Sequence, residues 1–364
     1  MKPIVLVVLD GISWEYIKAA NTPFLDGLMR GGSAETCMAM VPTVTNVNNA
    51  SIITGAFPEE HGISSNSYYD PETGLEVFMD SMSFLTHPTW LELEANRGGR
   101  TLLLTVKDKL LRLLSRGATA SYSAERPPWK LVEELGTPPS IYTSEVSVWL
   151  LKAARLEMER RRWDLTYIST TDYTPHKYPP ASPEAREYLS MLDEELERLF
   201  ELDVVLGIVA DHGMNQKRVN LDPVRLLKDE GIEARLVAAI RDEHPTHHMN
   251  LGGSAYLYLR EGLEKAGEVL ASAEGVEMAL SRDEAAERFR LPADRIGNLL
   301  VLAEKEYTLG LNSRSIYEDV EVRSHGSLHE AEVPLISSIR MKPEKGGYNK
   351  DLLPRLKAAL GTPP

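Results

Sequence analysis

Val204-Val205-Leu206-Gly207-Ile208-Val209-Ala210-Asp211-His212-Gly213-Met214 is a short apolar run that ends on an acid, an imidazole and a glycine. Such a run, rich in β-branched residues and closed by a polar turn, reads as a strand buried on both faces. Trp163 to Ser169 reads the same way and runs into Thr170-Thr171-Asp172-Tyr173-Thr174-Pro175-His176. Between the two lies Pro183 to Phe200, an amphipathic stretch with Ser182 as N-cap and Pro183 at the first helical position. Strand, crossover helix and strand together predict parallel pairing. Ile4-Val5-Leu6-Val7-Val8-Leu9-Asp10-Gly11 repeats the strand-then-acid pattern. The expected fold class is α/β, a layered αβα arrangement around a mostly parallel central sheet.

Elements alternate in this way from Ile4 to about Gly213, and the character changes after Met214. Ala234 to Ile240 and Ser254 to Leu259 read as successive strands, Glu261 to Ala273 as a helix, Val276 to Leu280 as a strand and Asp283 to Phe289 as a short helix. Gly297 to Ala303 is expected to return to the main sheet. The division expected is therefore a core of residues 1–215 and 297–364 with a smaller α+β subdomain, 216–296, inserted into it. The end after Met341 reads as a surface tail with one last helix.

Met40-Val41-Pro42-Thr43-Val44-Thr45-Asn46-Val47-Asn48-Asn49-Ala50-Ser51 places a hydroxyl at the mouth of a helix. Free amides and the positive end of a helix dipole suit a phosphate-like dianion there. The same residues also describe an ordinary capped helix with Thr45 or Asn48 as N-cap. What favours the first reading is Thr45's company at the other polar clusters: Asp10, Asp172, His176, Asp211, His212 and His325, the last in Arg323-Ser324-His325-Gly326. Ligands of open α/β sheets bind outside the carboxyl ends of the strands, so these residues can converge. Carboxylate and imidazole donors in this number suit two divalent cations, zinc or manganese rather than calcium. Each alone has a plainer reading: Asp10 as a turn or cap, Asp172 and His176 as a surface pair, His325 as a turn residue.

Taken with Thr54-Gly55-Ala56-Phe57-Pro58-Glu59-Glu60-His61-Gly62-Ile63, these motifs resemble the alkaline phosphatase superfamily. The similarity is to the branch holding nucleotide pyrophosphatases/phosphodiesterases and phosphonoacetate hydrolases, and within it most to the latter, through Thr105-Val106-Lys107-Asp108-Lys109-Leu110 and the flanks of Thr45, Asp172, Asp211 and His325. The resemblance implies an alkaline phosphatase-like fold and two divalent metals, most simply Zn²⁺, with Mn²⁺ or Fe²⁺ as alternatives. One metal would be held by Asp10, Thr45, Asp211 and His212, the other by Asp172, His176 and His325. It further implies Thr45 as nucleophile, Asn66 as donor to a phosphoryl oxygen, and Lys107 and Lys109 as partners of a substrate carboxylate. The implied activity is cleavage of the C–P bond of phosphonoacetate to acetate and phosphate through a phosphothreonine. The alternative is a phosphodiesterase or nucleotide pyrophosphatase on the same residues. Ser327 after Gly326 and Lys177-Tyr178-Pro179-Pro180 after His176 depart from the family's usual pattern without removing a ligand.

Read from the residues alone, Lys107 and Lys109 fall between a strand, Leu102 to Val106, and a helix, Leu110 to Leu114. Such lysines are commonly just solvated, and an i, i+2 pair converges only if the junction is irregular. Glu243-His244-Pro245-Thr246-His247-His248 reads as a rim loop, Asp70 as a turn residue, Asp319 and Glu321 as surface charges, and Trp149 as core.

Composition sets the frame. The apolar fraction of 43% is ample for a core in one large domain or two. Cys37 is the only cysteine, which excludes an intrachain disulfide and a thiolate metal cluster. A net charge of −14 argues against nucleic acid and an acidic membrane surface, and makes bound cations necessary if the substrate is a small anionic phosphonate or phosphate ester. Ile4 to Leu9 is too short for a membrane span or a signal segment, so a cytoplasmic location is expected. Oligomeric state is left open, a homodimer included.

Overall fold

The computed structural model describes residues 2–241, 249–312 and 314–362. His244, His247 and His248 lie outside the described residues. The central sheet has seven strands in the order Ser33–Met38, Glu332–Ser337, Val205–Val209, Ile4–Val8, Leu165–Ser169, Thr101–Thr105, Ala120–Ser123. Every pairing is parallel except those of Glu332–Ser337, which runs against both neighbours. The four central parallel strands are buried at every position, as their unbroken apolar runs require. One layer of helices is formed by Trp14–Ala19, Pro23–Gly31, Glu145–Arg160 and Pro183–Phe200, which pack on one another; a second gathers around Thr45–Thr54. The α/β architecture with a mostly parallel sheet is thus as expected. Ser182 Oγ accepts from Ala185 N at the start of the crossover helix, and Trp149 is core.

Two expectations need correction. The run Leu299–Ala303 does not rejoin the main sheet. It pairs antiparallel with Ser254–Leu259 and Val276–Ser281 inside a separate four-stranded sheet, whose far edge is Ala234–Ala238. An apolar run buried on both faces fits either sheet equally well, so its composition could not choose. The strand that does return is Glu332–Ser337, whose Pro334 disguises it. The chain end is likewise more than a surface tail. Leu352, Leu353 and Leu356 are fully buried against the main core. Gly207 makes room for them, since a Cβ there would lie 2.7 Å from Leu356 Cδ1.

A third sheet joins Asn215–Leu221 to Tyr307–Leu309 and Tyr317–Ser324, and so delivers His325 to the carboxyl edge of the main sheet. Asp70 closes a hairpin turn by accepting from Glu72 N and Thr73 Oγ1, and Asp319 and Glu321 are exposed. Among the described residues no helix is long and apolar enough to cross a membrane.

Candidate active site

Asp211, Asp10, Asp172 and Lys107 follow four neighbouring parallel strands, Val205–Val209, Ile4–Val8, Leu165–Ser169 and Thr101–Thr105. The sheet itself therefore sets them side by side. Gly11 takes a left-handed φ of +75°, which turns the chain immediately after Asp10, and its N–H donates to Asp211 Oδ1 at 3.2 Å. Thr170 Oγ1 accepts from Asp10 N at 2.9 Å, fixing the same corner from the neighbouring strand.

Two clusters result. Asp10, Asp211 and His212 form one, and Asp172, His176 and His325 the other; within each, candidate ligand atoms lie within 4.8 Å of one another, and all six residues are buried. The histidines share a pattern. Nδ1 of His212 faces Gly213 O at 3.0 Å, Nδ1 of His176 faces Arg323 O at 2.6 Å, and Nδ1 of His325 faces Thr43 O at 2.6 Å. A carbonyl only accepts, so each Nδ1 carries the proton and each Nε2 presents a lone pair. Those lone pairs face carboxylates: His176 Nε2 is 3.0 Å from Asp172 Oδ2, His325 Nε2 is 3.5 Å from the same oxygen, and His212 Nε2 is 3.4 Å from Asp10 Oδ1. Neutral imidazole against carboxylate at these distances is repulsive unless a cation lies between them. Asp10 Oδ1 is moreover buried without a hydrogen-bond partner among the described residues. The donor set therefore fits two divalent cations, with backbone carbonyls orienting every imidazole.

The electrostatics agree. Burial, reinforced by Asp172 and Asp211, pushes the Asp10 carboxyl well above its usual range. Burial likewise raises Asp211 to about 7. Asp172 goes the other way: burial is outweighed by Lys107 and His176, which hold it well below the ordinary value. Burial and the neighbouring His212 lower His325 to about 3, so it stays neutral.

Thr45 opens the helix Thr45–Thr54, but it is not the N-cap, and neither is Asn48; that position belongs to Val44. The Asn48 amide instead staples the preceding loop, accepting from Met40 N at 2.6 Å and donating to Met40 O at 3.2 Å. Thr45 Oγ1 turns out of the helix to His212 Nε2 at 3.2 Å. The amides of Thr45, Asn46 and Val47 precede the first helical bond, from Asn48 N to Val44 O.

Lys107 is the extended N-cap of Asp108–Leu114, so the junction is irregular as convergence demands. Both lysines line one narrow cleft with Thr45, Asn66, Asp10, Asp172 and His325. Lys107 Nζ lies 3.3 Å from Asp172 Oδ1. Lys109 is lowered to about 7 by burial and by the charge of Lys107. The Asn66 amide donates to Arg241 O at 3.3 Å, while its buried Oδ1 has no hydrogen-bond partner among the described residues. The cleft opens into a vestibule of about 530 Å³ with Phe78, Tyr142 and Arg112 among its walls.

Several supporting residues escaped the sequence reading. Asn49 donates to Asp211 Oδ2 at 3.0 Å and to Thr45 O at 3.1 Å, joining the Thr45 helix to the cluster. Asn349 donates to Asn48 Oδ1 at 2.9 Å and to Asp211 O at 3.3 Å. Thr43 Oγ1 accepts from Gly326 N at 2.9 Å. The signal was the density of amides in Asn46-Val47-Asn48-Asn49, too polar for a helix buried from Asn46 to Thr54.

The family model of type I phosphodiesterases / nucleotide pyrophosphatases matches residues 4–328. The chain belongs to that family, in the alkaline phosphatase superfamily. Among relatives of the phosphodiesterase/pyrophosphatase family, a venom phosphodiesterase of Macrovipera lebetinus is 31% identical over 233 residues, 60% of this chain and 26% of that protein. Ectonucleotide pyrophosphatase/phosphodiesterase family member 3 of Rattus norvegicus is 26% identical over 238 residues, 62% of this chain and 26% of its own length. The chain thus spans about a quarter of the length of these phosphodiesterase relatives. The crystal structure of phosphonoacetate hydrolase from Sinorhizobium meliloti 1021 in complex with phosphonoacetate superposes with a TM-score of 0.92 at 32% identity, covering 98% of this chain and 95% of that one. Murine ectonucleotide pyrophosphatase / phosphodiesterase 5 shares the fold at a TM-score of 0.72 and 19% identity, covering 100% of this chain and 96% of that one. The phosphodiesterase/pyrophosphatase member described here accordingly has the same α/β architecture.

Proposed function

We propose that this chain hydrolyses the C–P bond of phosphonoacetate, giving acetate and phosphate. One observation carries the reading: Lys107 and Lys109 enter the same narrow cleft as Thr45, Asp10 of one candidate cluster and Asp172 and His325 of the other. A phosphate ester needs no pair of ammonium groups beyond the metals, whereas a substrate with a second anion does. The similarity to a hydrolase crystallised with phosphonoacetate supports it.

Asp10, Thr45, Asp211 and His212 would hold one cation and Asp172, His176 and His325 the other. When bound, divalent cations supply positive charge that lowers the pKa of a nearby hydroxyl and offsets negative phosphoryl oxygens. The protein's own groups do the rest. Thr45 Oγ attacks phosphorus and gives up its proton to solvent, forming the P–O bond as the P–C bond breaks. Asn66 Nδ2 can donate to a phosphoryl oxygen. The electron pair of the P–C bond passes to the acetate carbon and delocalises into the carboxylate as an enolate. Lys107 and Lys109 are compact charges suited to that developing dianion. Protonation at carbon gives acetate, and attack of water on the phosphothreonine returns Thr45 and phosphate.

The deciding experiment is a substrate panel with both products quantified. Acetate and phosphate are expected in equal amounts from phosphonoacetate. Rapid turnover of phosphodiesters with no acetate from phosphonoacetate would replace this reading by the phosphodiesterase one, which the vestibule and the 26–31% identical relatives favour.

The lysines give a finer test. A hydrogen bond to a charged group is worth about 1.5–3 kcal/mol, so Lys109→Ala is expected to lower kcat/KM on phosphonoacetate about ten- to a hundredfold. An activated aryl phosphodiester, with no carboxylate, should respond little. Lys109 is the cleaner probe, because Lys107 also pairs with Asp172 and its loss would disturb a cluster. Equal losses on both substrates would return Lys109 to a general structural role.

A further inference from the structure

Arg323 is buried at the end of the strand Tyr317–Ser324, two residues before His325. Its carbonyl orients the His176 ring. Its guanidinium donates through Nε to Pro175 O at 2.8 Å, and through Nη2 to Tyr16 Oη at 3.0 Å and Met214 O at 3.4 Å. Tyr16 Oη in turn donates to Tyr178 O at 2.7 Å.

These bonds answer a local deficit. His176 sits on the helix Tyr173–Lys177, which at five residues cannot hold itself. The amide that would normally serve Pro175 O four residues on belongs to Pro179, which has no N–H. The guanidinium fills that position. It also reaches Met214, just beyond Asp211-His212, and is carried on the strand that leads into His325. One residue therefore contacts the helix of His176 and the segment after His212, and leads along its own strand into His325.

We infer that Arg323 is a positioning residue that sets the geometry of the Asp172/His176/His325 cluster and ties it to the strand end carrying Asp211 and His212. The inference rests on the two-metal reading above. A lysine would keep the charge but lose the fork, serving one carbonyl rather than two and a phenol.

The test is zinc affinity of the chelator-stripped full chain, measured against a competing chelator and fitted to two sites. His176→Ala identifies the site that belongs to this cluster. Arg323→Lys is expected to weaken that site about 10- to 100-fold, the usual cost of losing an outer partner of a ligand, and the other site, reached only through Met214 O at 3.4 Å, by much less, while the stripped protein still melts cooperatively. Tyr16→Phe, which removes the acceptor of Arg323 Nη2 and the hydroxyl donor to Tyr178 O and Pro175 O but keeps the guanidinium, should weaken the same site less. Equal weakening of both sites, or none, overturns the inference. If Arg323→Lys does not fold, Tyr16→Phe decides alone, and unchanged zinc affinities in it overturn the inference. Wild-type protein with no tight zinc site would instead overturn the two-metal reading itself.

Discussion

Thr45→Ala is expected to abolish turnover while leaving the protein folded. Removing a nucleophile that acts as one unit with its activators costs at least about 10⁴-fold in kcat. The fold has little reason to notice. Val44, not Thr45, is the helix N-cap, and the Thr45 hydroxyl points to His212 rather than back to the backbone. Alanine also keeps the helix geometry, so the stability change should stay within about 1 kcal/mol. Turnover, thermal melting and mass analysis of acid-quenched wild-type enzyme together check this. The wild type should carry a phosphoryl group on the peptide containing Thr45. An alanine variant working near the wild-type rate would remove Thr45 from the chemistry.

Stripping metal should be as severe. Chelation is expected to end activity, and zinc or a similar divalent ion to restore it at two ions per chain. The stripped protein should also melt lower. A ligand bound only by the native state at a thousand times its Kd stabilises it by about 4 kcal/mol. Here the native state without cations buries Asp10, Asp172 and Asp211 in one region, with His lone pairs turned toward them. Metal analysis of fully active protein that finds less than one ion per chain would refute the two-metal site.

The central sheet was legible because buried parallel strands need unbroken apolar runs, and the acids at their ends stand out against them. Asp10, Asp172 and Asp211 could be picked out for that reason, and the structure brings them together with Thr45 and the three histidines. Lys107 and Lys109 were ambiguous, because their convergence depends on an extended N-cap that spacing does not reveal. Leu299–Ala303 was assigned to the wrong sheet, since two-sided burial looks the same in either. Glu332–Ser337 was not seen as a strand because Pro334 interrupts it. Asn349 and Arg323 act through contacts with residues more than 100 positions away, Asn48 in one case and Pro175 in the other, which no local pattern encodes.

The bond from His325 to Thr43 O spans 282 residues, and that from Asn349 to Asn48 spans 301. Synthesis proceeds from the amino end, so the loop bearing Thr45 leaves the ribosome long before the residues that lock it. At about 5–20 residues per second the wait is on the order of 15–60 s. Throughout that interval the growing polypeptide lacks His325, one member of the Asp172/His176/His325 cluster, and the Asn349 clamp on Asn48 of the Thr45 helix. On the two-metal reading, a nascent chain is therefore expected to stay inactive, and to lack a complete cation site, until His325 and Asn349 have emerged.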